Sequence, residues 1–287
     1  MSDVRYQMSD RLASGEITGK YWRRHLDGNS IRSQRPDKQR PQALQEQSGV
    51  PRRAQLLIEA GPIDLSAVVH LPWKVPAPVI VCSHGLLSSK ESPKFIAIGE
   101  EMSRSGFCVL RFDFSGNGQS PARRFLSLAE SRRRDLEAVI VFALRQHWSN
   151  GQVGLLGSSF GGFVSLLAAG ERRELIRAVV SWAAPFDIGK IDPDPEQIEQ
   201  LAAMFPDGFS LGSPTDLDAL GETGPALLIH GQLDEVVPWK DSVRIYERLR
   251  DPKRLLLMRT ADHRIIDDSW RKKAIQASLE WFLTYLV

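Results

Sequence analysis

The amino-acid sequence predicts a doubly wound α/β fold, on three observations: a pair of extended segments, a series of short apolar runs behind that pair, and amphipathic stretches between the runs. The pair, at 54–59 and 63–70, is joined by Gly61-Pro62, which is a turn signal. Short runs rich in Val, Leu and Ile suit the central strands of a parallel sheet that is covered on both faces. Such runs follow the pair at 79–83, 108–112, 153–157, 178–183, 226–230 and 254–258.

Segments with helical spacing separate these runs and complete the β–α units. Residues 94–105 end at Gly106, a typical helix stop. Residues 127–147 open on Ser127-Leu-Ala-Glu130, the pattern of a capping box. Further helical segments lie at 243–250 and 270–286. Repeated β–α units pack with right-handed crossovers, and ligands then bind beyond the carboxyl ends of the strands. Reactive residues are therefore expected directly after strands.

The first 52 residues differ from the rest of the chain. The whole chain carries a formal charge of +2, but residues 1–53 contain 11 Lys/Arg and 6 Asp/Glu, which gives +5. Their polar composition without sustained periodicity predicts a flexible basic arm at 1–52, ahead of a catalytic domain at 53–287. The arm lacks dense basic clusters with interleaved aromatic residues, so a solvated tail is favoured over a nucleic-acid site.

The cysteines and the apolar segments bear on the cellular compartment. Cys82 lies near the end of one predicted strand and Cys108 near the start of another. If those strands are parallel neighbours, the two thiols are too far apart for a disulfide. Free buried thiols are typical of a reducing compartment. The first residues show no secretory signal, and no apolar run approaches the roughly 20 residues that cross a bilayer. We therefore expect a cytoplasmic protein without a membrane partner.

The strongest functional signal is Gly157-Ser158-Ser159-Phe160-Gly161, which follows an apolar run and precedes a helical pattern. A sharp strand-to-helix turn crowds the backbone, so small residues are needed two positions on either side of the central serine. Such a turn lifts the Ser159 hydroxyl above the sheet edge and places the Phe160 amide at a helix N-terminus. A plain glycine-rich turn is the alternative, but the strand–turn–helix context favours a nucleophile.

A serine nucleophile needs a base, and the base needs an orienting acid. In this type of sheet the order along the chain should be Ser, acid, His. Asp234 follows the run at 226–230, and His263 follows the run at 254–258. Asp234 could instead be a turn or cap residue. The other five histidines lie in the arm, away from this edge, or directly before glycines at strand ends, and the less favoured acids are Asp187, Glu235 and Asp262.

Attack on an ester carbonyl places negative charge on its oxygen, which backbone N–H groups can stabilise. One donor should be the amide of Phe160. The other should come from the loop after the third strand, where His84-Gly85 can form a tight turn that exposes the Leu86 amide.

The segment at 111–120 contains Asp113 and two glycines but neither nucleotide-binding pattern, so we interpret it as a brace for the neighbouring loop. No spacing of His, Cys, Asp or Glu resembles a zinc or iron site. The sequence therefore predicts no metal and no cofactor.

Together these segments resemble the α/β-hydrolase superfamily, and within it the small esterase and serine-aminopeptidase-like branch that includes cinnamoyl and feruloyl esterases. The matching segments are SHGLLSSKES (83–92), RFDFSGNGQS (111–120), GSSFGG (157–162), HGQLDEVVP (230–238) and ADH (261–263). The resemblance implies a mainly parallel eight-stranded sheet with helices on both faces, no cofactor and an acyl-enzyme mechanism. By position it assigns the nucleophile to Ser159, the acid to Asp234, the base to His263, and the oxyanion donors to the amides of Leu86 and Phe160. Many relatives carry an aromatic residue where this chain has Leu86, a difference that concerns substrate fit rather than catalysis.

Residues 186–223, between the sixth and seventh strands, exceed a simple connection and are expected to form a small cap. Its apolar residues either line an acyl pocket or pack into the core; they are Ile198, Leu201, Met204, Phe205 and Phe209. The predicted function is hydrolysis of a small or medium carboxylic ester through an acyl-enzyme on Ser159. A peptidase, thioesterase or acyltransferase with the same residues is the alternative, and a non-catalytic binding protein is less favoured. The one partner that the sequence indicates is a small-molecule ester, and it indicates no oligomeric state.

Overall fold

The computed structural model describes residues 52–122, 127–191, 193–205, 208–211, 220 and 223–287. The strands are β1 (Arg52–Ala60), β2 (Ile63–Leu71), β3 (Ala77–Ser83), β4 (Cys108–Phe112), β5 (Ser149–Ser158), β6 (Ile176–Trp182), β7 (Ala226–Gly231) and β8 (Lys253–Met258). Every extended segment predicted from the sequence is therefore a strand. The arm predicted at 1–52 lies, apart from Arg52, outside the described residues.

The strands form one sheet in the order β1-β2-β4-β3-β5-β6-β7-β8. Strand β2 pairs antiparallel with both β1 and β4. All other neighbouring strands in this order pair parallel. The predicted mainly parallel, eight-stranded sheet is thus confirmed.

The register between β3 and β4 keeps the two cysteines apart. Val79 lies opposite Cys108, and Cys82 lies opposite Arg111, so the thiols are offset by three residues along parallel neighbours. Both thiols are free and buried. The prediction that they form no disulfide is confirmed, and for the reason of register that the sequence suggested.

Helices cover both faces of the sheet. They are α1 (Pro93–Arg104), α2 (Leu128–Leu144), α3 (Phe160–Glu171), α4 (Pro195–Met204), α5 (Lys240–Arg248) and α6 (Asp268–Tyr285). Helices α1 and α6 bury apolar side chains such as Phe95 and Phe282 on one face. Helices α2, α3 and α5 bury Leu136, Phe163 and Ile245 on the other. As predicted, Ser127 caps α2, because its hydroxyl accepts a hydrogen bond from the Glu130 amide at 3.3 Å.

The part of the predicted cap at 186–223 that the structure describes contains α4. The Asp194 side chain caps this helix in a capping box with Gln197. Leu201 and Phe205 are buried in the main core, whereas Ile198 is 48% exposed. Of the two roles left open for these apolar residues, core packing therefore describes Leu201 and Phe205. Within the described residues, no helix is long and apolar enough to cross a membrane.

The carboxyl ends of the parallel strands align at one edge of the sheet. Ser83 at the end of β3 lies opposite Gly157 in β5, and Gly231 at the end of β7 lies opposite Met258 at the end of β8. The loops after β7 and β8 are also in close contact, since the Leu233 amide donates to the Ala261 carbonyl at 3.1 Å. This edge brings together residues that are more than a hundred positions apart in sequence.

Candidate active site

Ser159 occupies a strained turn between β5 and α3. Its φ of 55° and ψ of −125° lie in a region that residues with a side chain rarely adopt. Such a conformation typically costs about 1–3 kcal/mol and persists only where the surroundings enforce it. Here the Ser159 amide donates to the Trp182 carbonyl at 2.7 Å, and α3 begins at the next residue.

Two glycines make this turn possible. A Cβ atom on Gly157 would lie 2.3 Å from the Gly161 carbonyl oxygen, and one on Gly161 would lie 2.2 Å from the Ser83 carbonyl oxygen. Both distances are far inside van der Waals contact, and the obstacles are backbone atoms that cannot move aside. Gly162 allows α3 to pack on β6, because a Cβ there would lie 2.6 Å from the Ser181 Oγ atom.

The structure brings together the three side chains predicted to act as nucleophile, base and acid. The Ser159 Oγ atom lies 3.1 Å from the His263 Nε2 atom. The His263 Nδ1 atom lies 2.7 Å from the Asp234 Oδ2 atom. Because the carboxylate can only accept, Nδ1 carries a proton, and the neutral imidazole then offers Nε2 as the acceptor for the serine hydroxyl.

The Asp234 carboxylate is held by four donors. Its Oδ1 atom accepts from the amides of Val236 and Val237 at 2.9 and 2.7 Å. Its Oδ2 atom accepts from His263 and also from the Nε2 atom of His230 at 3.0 Å. Burial alone would raise the pKa of this carboxyl, but the hydrogen bonds from His230 and His263 outweigh it and hold the pKa well below its usual range. Asp234 therefore stays ionised beside the imidazole.

The less favoured acids have other roles. The Asp187 side chain accepts from the Gly189 amide and caps a short 3-10 helix, Ile188–Lys190. The Asp262 Oδ1 atom accepts from the Ile266 amide at 2.9 Å. Glu235 is exposed. Asp234 is the acid that the geometry pairs with His263, and it also serves as the turn residue that the sequence suggested.

The loop after β3 lies against the nucleophile. A Cβ atom on Gly85 would lie 3.4 Å from the Ser159 Cβ atom and 3.9 Å from its Oγ atom. In the described part of the chain, the amides of Leu86 and Phe160 donate to no other backbone group. These are the two predicted oxyanion donors: Leu86 follows Gly85 in this loop, and Phe160 follows Ser159 as the first residue of α3.

His84 fixes the peptide that carries the Leu86 amide. Its Nε2 atom accepts from the Phe114 amide at 3.0 Å, so the proton resides on Nδ1, which donates to the Gly85 carbonyl at 2.7 Å. In a trans peptide the carbonyl and the following N–H point in opposite directions. Holding the Gly85 carbonyl therefore also sets the direction of the Leu86 N–H. Burial, then the charge of Arg132, lowers the pKa of His84 to about 3, so this tautomer is kept at neutral pH.

The segment at 111–120 braces the same loop, as predicted. The buried Asp113 carboxylate accepts from the backbone amide and the ammonium group of Lys90, both at 2.7 Å. The Asn117 side-chain amide donates to the carbonyls of Leu86 and Ser88 at 3.0 and 3.2 Å. A Cβ atom on Gly118 would lie 2.3 Å from the Asp113 carboxylate, which explains the glycine.

Lys94 is a further cation near the site. Its Nζ atom donates to the Oγ atom of Ser158, the residue before the nucleophile, at 2.7 Å. Burial, then the charge of Arg264, lowers the pKa of Lys94 to about 8. Among the described residues, no group of three or more His, Cys, Asp or Glu side chains could hold a metal ion.

Sequence reasoning missed the roles of His84 and His230. Both stand directly before a glycine at the end of a strand, a position that argues against a role as the catalytic base. In a parallel sheet it is also the position nearest the active edge. A histidine there was a signal for a group that orients the site.

Comparisons with known proteins agree with the fold. A model of the alpha/beta hydrolase fold family matches residues 78–210. The human mitochondrial palmitoyl-protein thioesterase ABHD10 is 27% identical over 230 residues, which cover 70% of this chain and 72% of that protein. The human acylamino-acid-releasing enzyme is 27% identical over 254 residues, or 78% of this chain, which spans 34% of that enzyme. The structure of Est1E from Butyrivibrio proteoclasticus with bound ferulic acid has a TM-score of 0.66 at 21% identity, and the match covers 80% of this chain and 98% of that one.

Proposed function

We propose that this chain, which has the α/β-hydrolase fold and matches the model of that fold family over residues 78–210, is a serine hydrolase that cleaves carboxylic esters through an acyl-enzyme on Ser159. The observation that carries this proposal is the continuous hydrogen-bonded path from Ser159 Oγ through the His263 imidazole to the Asp234 carboxylate, with separations of 3.1 and 2.7 Å. Nucleophile, base and orienting acid arranged in this way are what acyl transfer by a serine requires.

In the first half of the reaction Ser159 Oγ attacks the ester carbonyl carbon and its proton passes to His263 Nε2. The imidazolium that forms is stabilised by the ionised Asp234. Negative charge develops on the carbonyl oxygen. The amides of Leu86 and Phe160, which donate to no backbone acceptor in the described part of the chain, then stabilise it. His263 then returns the proton to the departing alkoxide, which leaves as the alcohol.

In the second half water takes the place of the alcohol. His263 Nε2 removes a proton from water, the resulting hydroxide attacks the acyl carbon, and the C–Oγ bond breaks as the proton returns to Ser159. The products are the carboxylic acid and free enzyme. Asp234 remains ionised throughout, because its pKa is held low by the donors around it.

A thioester is the second candidate substrate, and a specific observation favours it, the similarity to a palmitoyl-protein thioesterase. The same acyl-enzyme would form from a thioester. A thiol with a pKa of about 8.5 departs without help from a general acid, whereas an alkoxide depends on the proton from His263. Sensitivity of the acylation rate to the leaving group therefore separates the two chemistries.

Labelling with a fluorophosphonate probe tests the nucleophile. We expect the wild-type protein to be labelled in proportion to active sites, and the Ser159→Ala variant to be unlabelled. A wild type that resists the probe, or a variant labelled equally, would overturn the proposal and favour a binding protein with a hydrolase fold. Ser158→Ala is the matched control, because it alters the neighbouring hydroxyl and should still be labelled.

A substrate panel with one acyl group tests the reaction class. Ethyl and p-nitrophenyl esters, a coenzyme A thioester and an amide of the same acid differ in the leaving group alone. Turnover of both esters supports an esterase, whereas turnover confined to the thioester or to the amide would replace it with a thioesterase or a peptidase.

A further inference from the structure

Helix α2 carries three consecutive arginines, and one of them is buried. Arg132 is 1% exposed, which is rare for a guanidinium group unless it is fully paired. Its Nη2 atom donates to the Leu86 carbonyl at 3.0 Å and to the Asn117 Oδ1 atom at 2.8 Å. Among the described residues its Nε and Nη1 atoms find no acceptor. A buried charge with unused donors costs stability, so its position calls for a role.

Arg132 contacts both residues that supply the proposed oxyanion donors. Besides the hydrogen bond to Leu86, its guanidinium carbon lies 5.3 Å from the centroid of the Phe160 ring. The Phe114 ring lies on it as well, at 4.7 Å. A cation placed in this way on aromatic rings is held by their quadrupoles as well as by hydrogen bonds. One side chain thus links the loop after β3 to the first turn of α3.

The charge of Arg132 also reaches this loop. Burial lowers the pKa of the guanidinium to about 10, and Asp135 opposes that change, so the group is charged at neutral pH. The same charge contributes to the lowered pKa of His84, which directs the Leu86 amide. Asp135 is itself engaged, since its Oδ2 atom accepts from the Ser115 amide at 2.8 Å.

We propose that Arg132 is a positioning residue for the oxyanion hole: it ties the Leu86 and Phe160 donors together, and its buried positive charge stabilises the negative charge that develops on the substrate carbonyl oxygen. This inference rests on the proposed function. A charge fixed behind two oriented amides, in a site of low dielectric, acts on the transition state more than on the neutral substrate. Its loss should therefore lower kcat and leave KM nearly unchanged.

Three substitutions distinguish the effect of the positive charge of Arg132 from the effect of its hydrogen bond to Leu86. Arg132→Lys keeps the charge, Arg132→Gln keeps a donor for the Leu86 carbonyl without charge, and Arg132→Met keeps bulk alone. We expect kcat to fall by less than about 10-fold in the lysine variant and by about 10–100-fold in the other two, which is less than the loss of a direct oxyanion donor. Arg134→Gln is the matched control: this exposed arginine of the same helix pairs with Glu130, and the substitution should leave kcat unchanged.

An inhibitor that forms an anionic tetrahedral adduct with serine, such as an alkyl trifluoromethyl ketone, provides a readout that a purely structural role of Arg132 in stabilising the fold would not move. Its affinity should fall in proportion to kcat across the three variants, with the thermal unfolding midpoint measured for each. The inference is overturned if the glutamine and methionine variants keep kcat and inhibitor affinity within twofold of wild type. It is also overturned if kcat falls while inhibitor affinity stays.

A measurement on the wild type covers the case in which these variants do not fold. The exchange-protected Nε–H resonance of Arg132 should shift when the tetrahedral adduct forms; an unmoved resonance contradicts the inference.

Failure of the proposed function is distinguishable from failure of this inference. A wild type that neither reacts with fluorophosphonate nor turns over any ester would refute the proposed hydrolase activity. A labelled, active wild type with insensitive Arg132 variants removes only the role of Arg132.

Discussion

The Nε2 atom of His230 lies 3.0 Å from the Oδ2 atom of Asp234, the same oxygen that accepts from the proposed catalytic base. The second neighbour of this Nε2 is the Val237 carbonyl, also at 3.0 Å, so both partners are acceptors and Nε2 must carry the proton. The Nδ1 atom of His230 then accepts from the Ser242 hydroxyl at 2.7 Å. His230 is buried, and one carboxylate oxygen is therefore shared between two imidazoles.

Removing this second imidazole should change the pH dependence of the reaction. Without the donor of His230, the Oδ2 atom of Asp234 bears more negative charge toward His263 and stabilises its imidazolium more. We expect His230→Leu to move the acid limb of the kcat/KM profile to higher pH by several tenths of a unit and to lower kcat by about 10-fold. The measurement is kcat/KM between pH 5 and 9.

The His230→Gln variant is the control for this prediction. A glutamine side-chain amide can place a donor near the position of the imidazole Nε2 and should restore the wild-type profile. If the leucine variant keeps the wild-type acid limb, His230 has no influence on the base and serves only to pack the end of β7.

The strained backbone of Ser159 should lower the free energy of unfolding by a measurable amount. Ser159→Gly and Ser159→Ala both remove the hydroxyl, so both should lose turnover by a factor on the order of 10⁶. Glycine tolerates a φ of 55°, whereas alanine retains the strain. We expect the glycine variant to be more stable than the alanine variant by about 1 kcal/mol after the greater chain entropy of glycine is counted. Denaturant unfolding of the two variants tests this, and equal midpoints would mean that the turn stores no strain.

The sequence predicted the strands, the sheet edge and the order of Ser159, Asp234 and His263, because each depends on local apolar runs and on the rule that ligands bind where parallel strands end. It could not predict the pairing of His230 with Asp234. That pairing depends on the direction in which β7 ends and on how the following turn folds back onto it.

The burial of Arg132 is a second feature that the sequence predictions do not include. Three consecutive arginines look like a solvated helix face, and Arg134 is indeed exposed. Arg132 nevertheless stands four positions before Leu136 and seven before Val139, both of which are buried, and so lies on the apolar stripe of α2. The spacing of Arg132 relative to these apolar residues therefore indicates a buried position on α2.

His84 should control turnover through the orientation of the Leu86 amide. In His84→Ala the Gly85 carbonyl loses the donor at 2.7 Å, and the peptide that follows is free to rotate. We expect kcat to fall by up to about 10²-fold, the lower end of the effect of losing an oxyanion donor, with little change in KM. His84→Asn offers a side-chain N–H near the position of Nδ1 and should recover part of the loss. A rise in KM with kcat unchanged would point instead to a role in substrate binding.

The glycines of the turn at Ser159 should not tolerate substitution even by alanine. In Gly161→Ala the new Cβ atom would lie 2.2 Å from the Ser83 carbonyl oxygen, so β3 and α3 must separate. We expect a loss of more than about 2 kcal/mol in the free energy of unfolding, together with loss of activity. Gly151→Ala is the comparison, because its Cβ would meet no atom within 4 Å; its own cost arises from a positive φ of 86°. Equal unfolding midpoints for the two variants would show that the contact with Ser83 is relieved at no cost.

The two thiols should make the protein sensitive to alkaline pH. Burial raises the pKa of Cys82 and of Cys108 to about 12, against about 8.5 for an exposed thiol. Between these values the unfolded chain releases both protons and the folded chain retains them, so the unfolded state binds fewer protons and the free energy of unfolding falls as pH rises. We therefore expect unfolding midpoints to decline from pH 8.5 to 10.5. We also expect the native protein at pH 8 to react with a disulfide reagent such as DTNB no faster than it unfolds.

The Cys82→Ala, Cys108→Ala double variant is the control. It should begin less stable, because two buried side chains are shortened, but should lose less stability over the same pH interval. If the native protein rapidly released two equivalents of thionitrobenzoate from the reagent, both thiols would be accessible, which would contradict the burial on which this prediction rests.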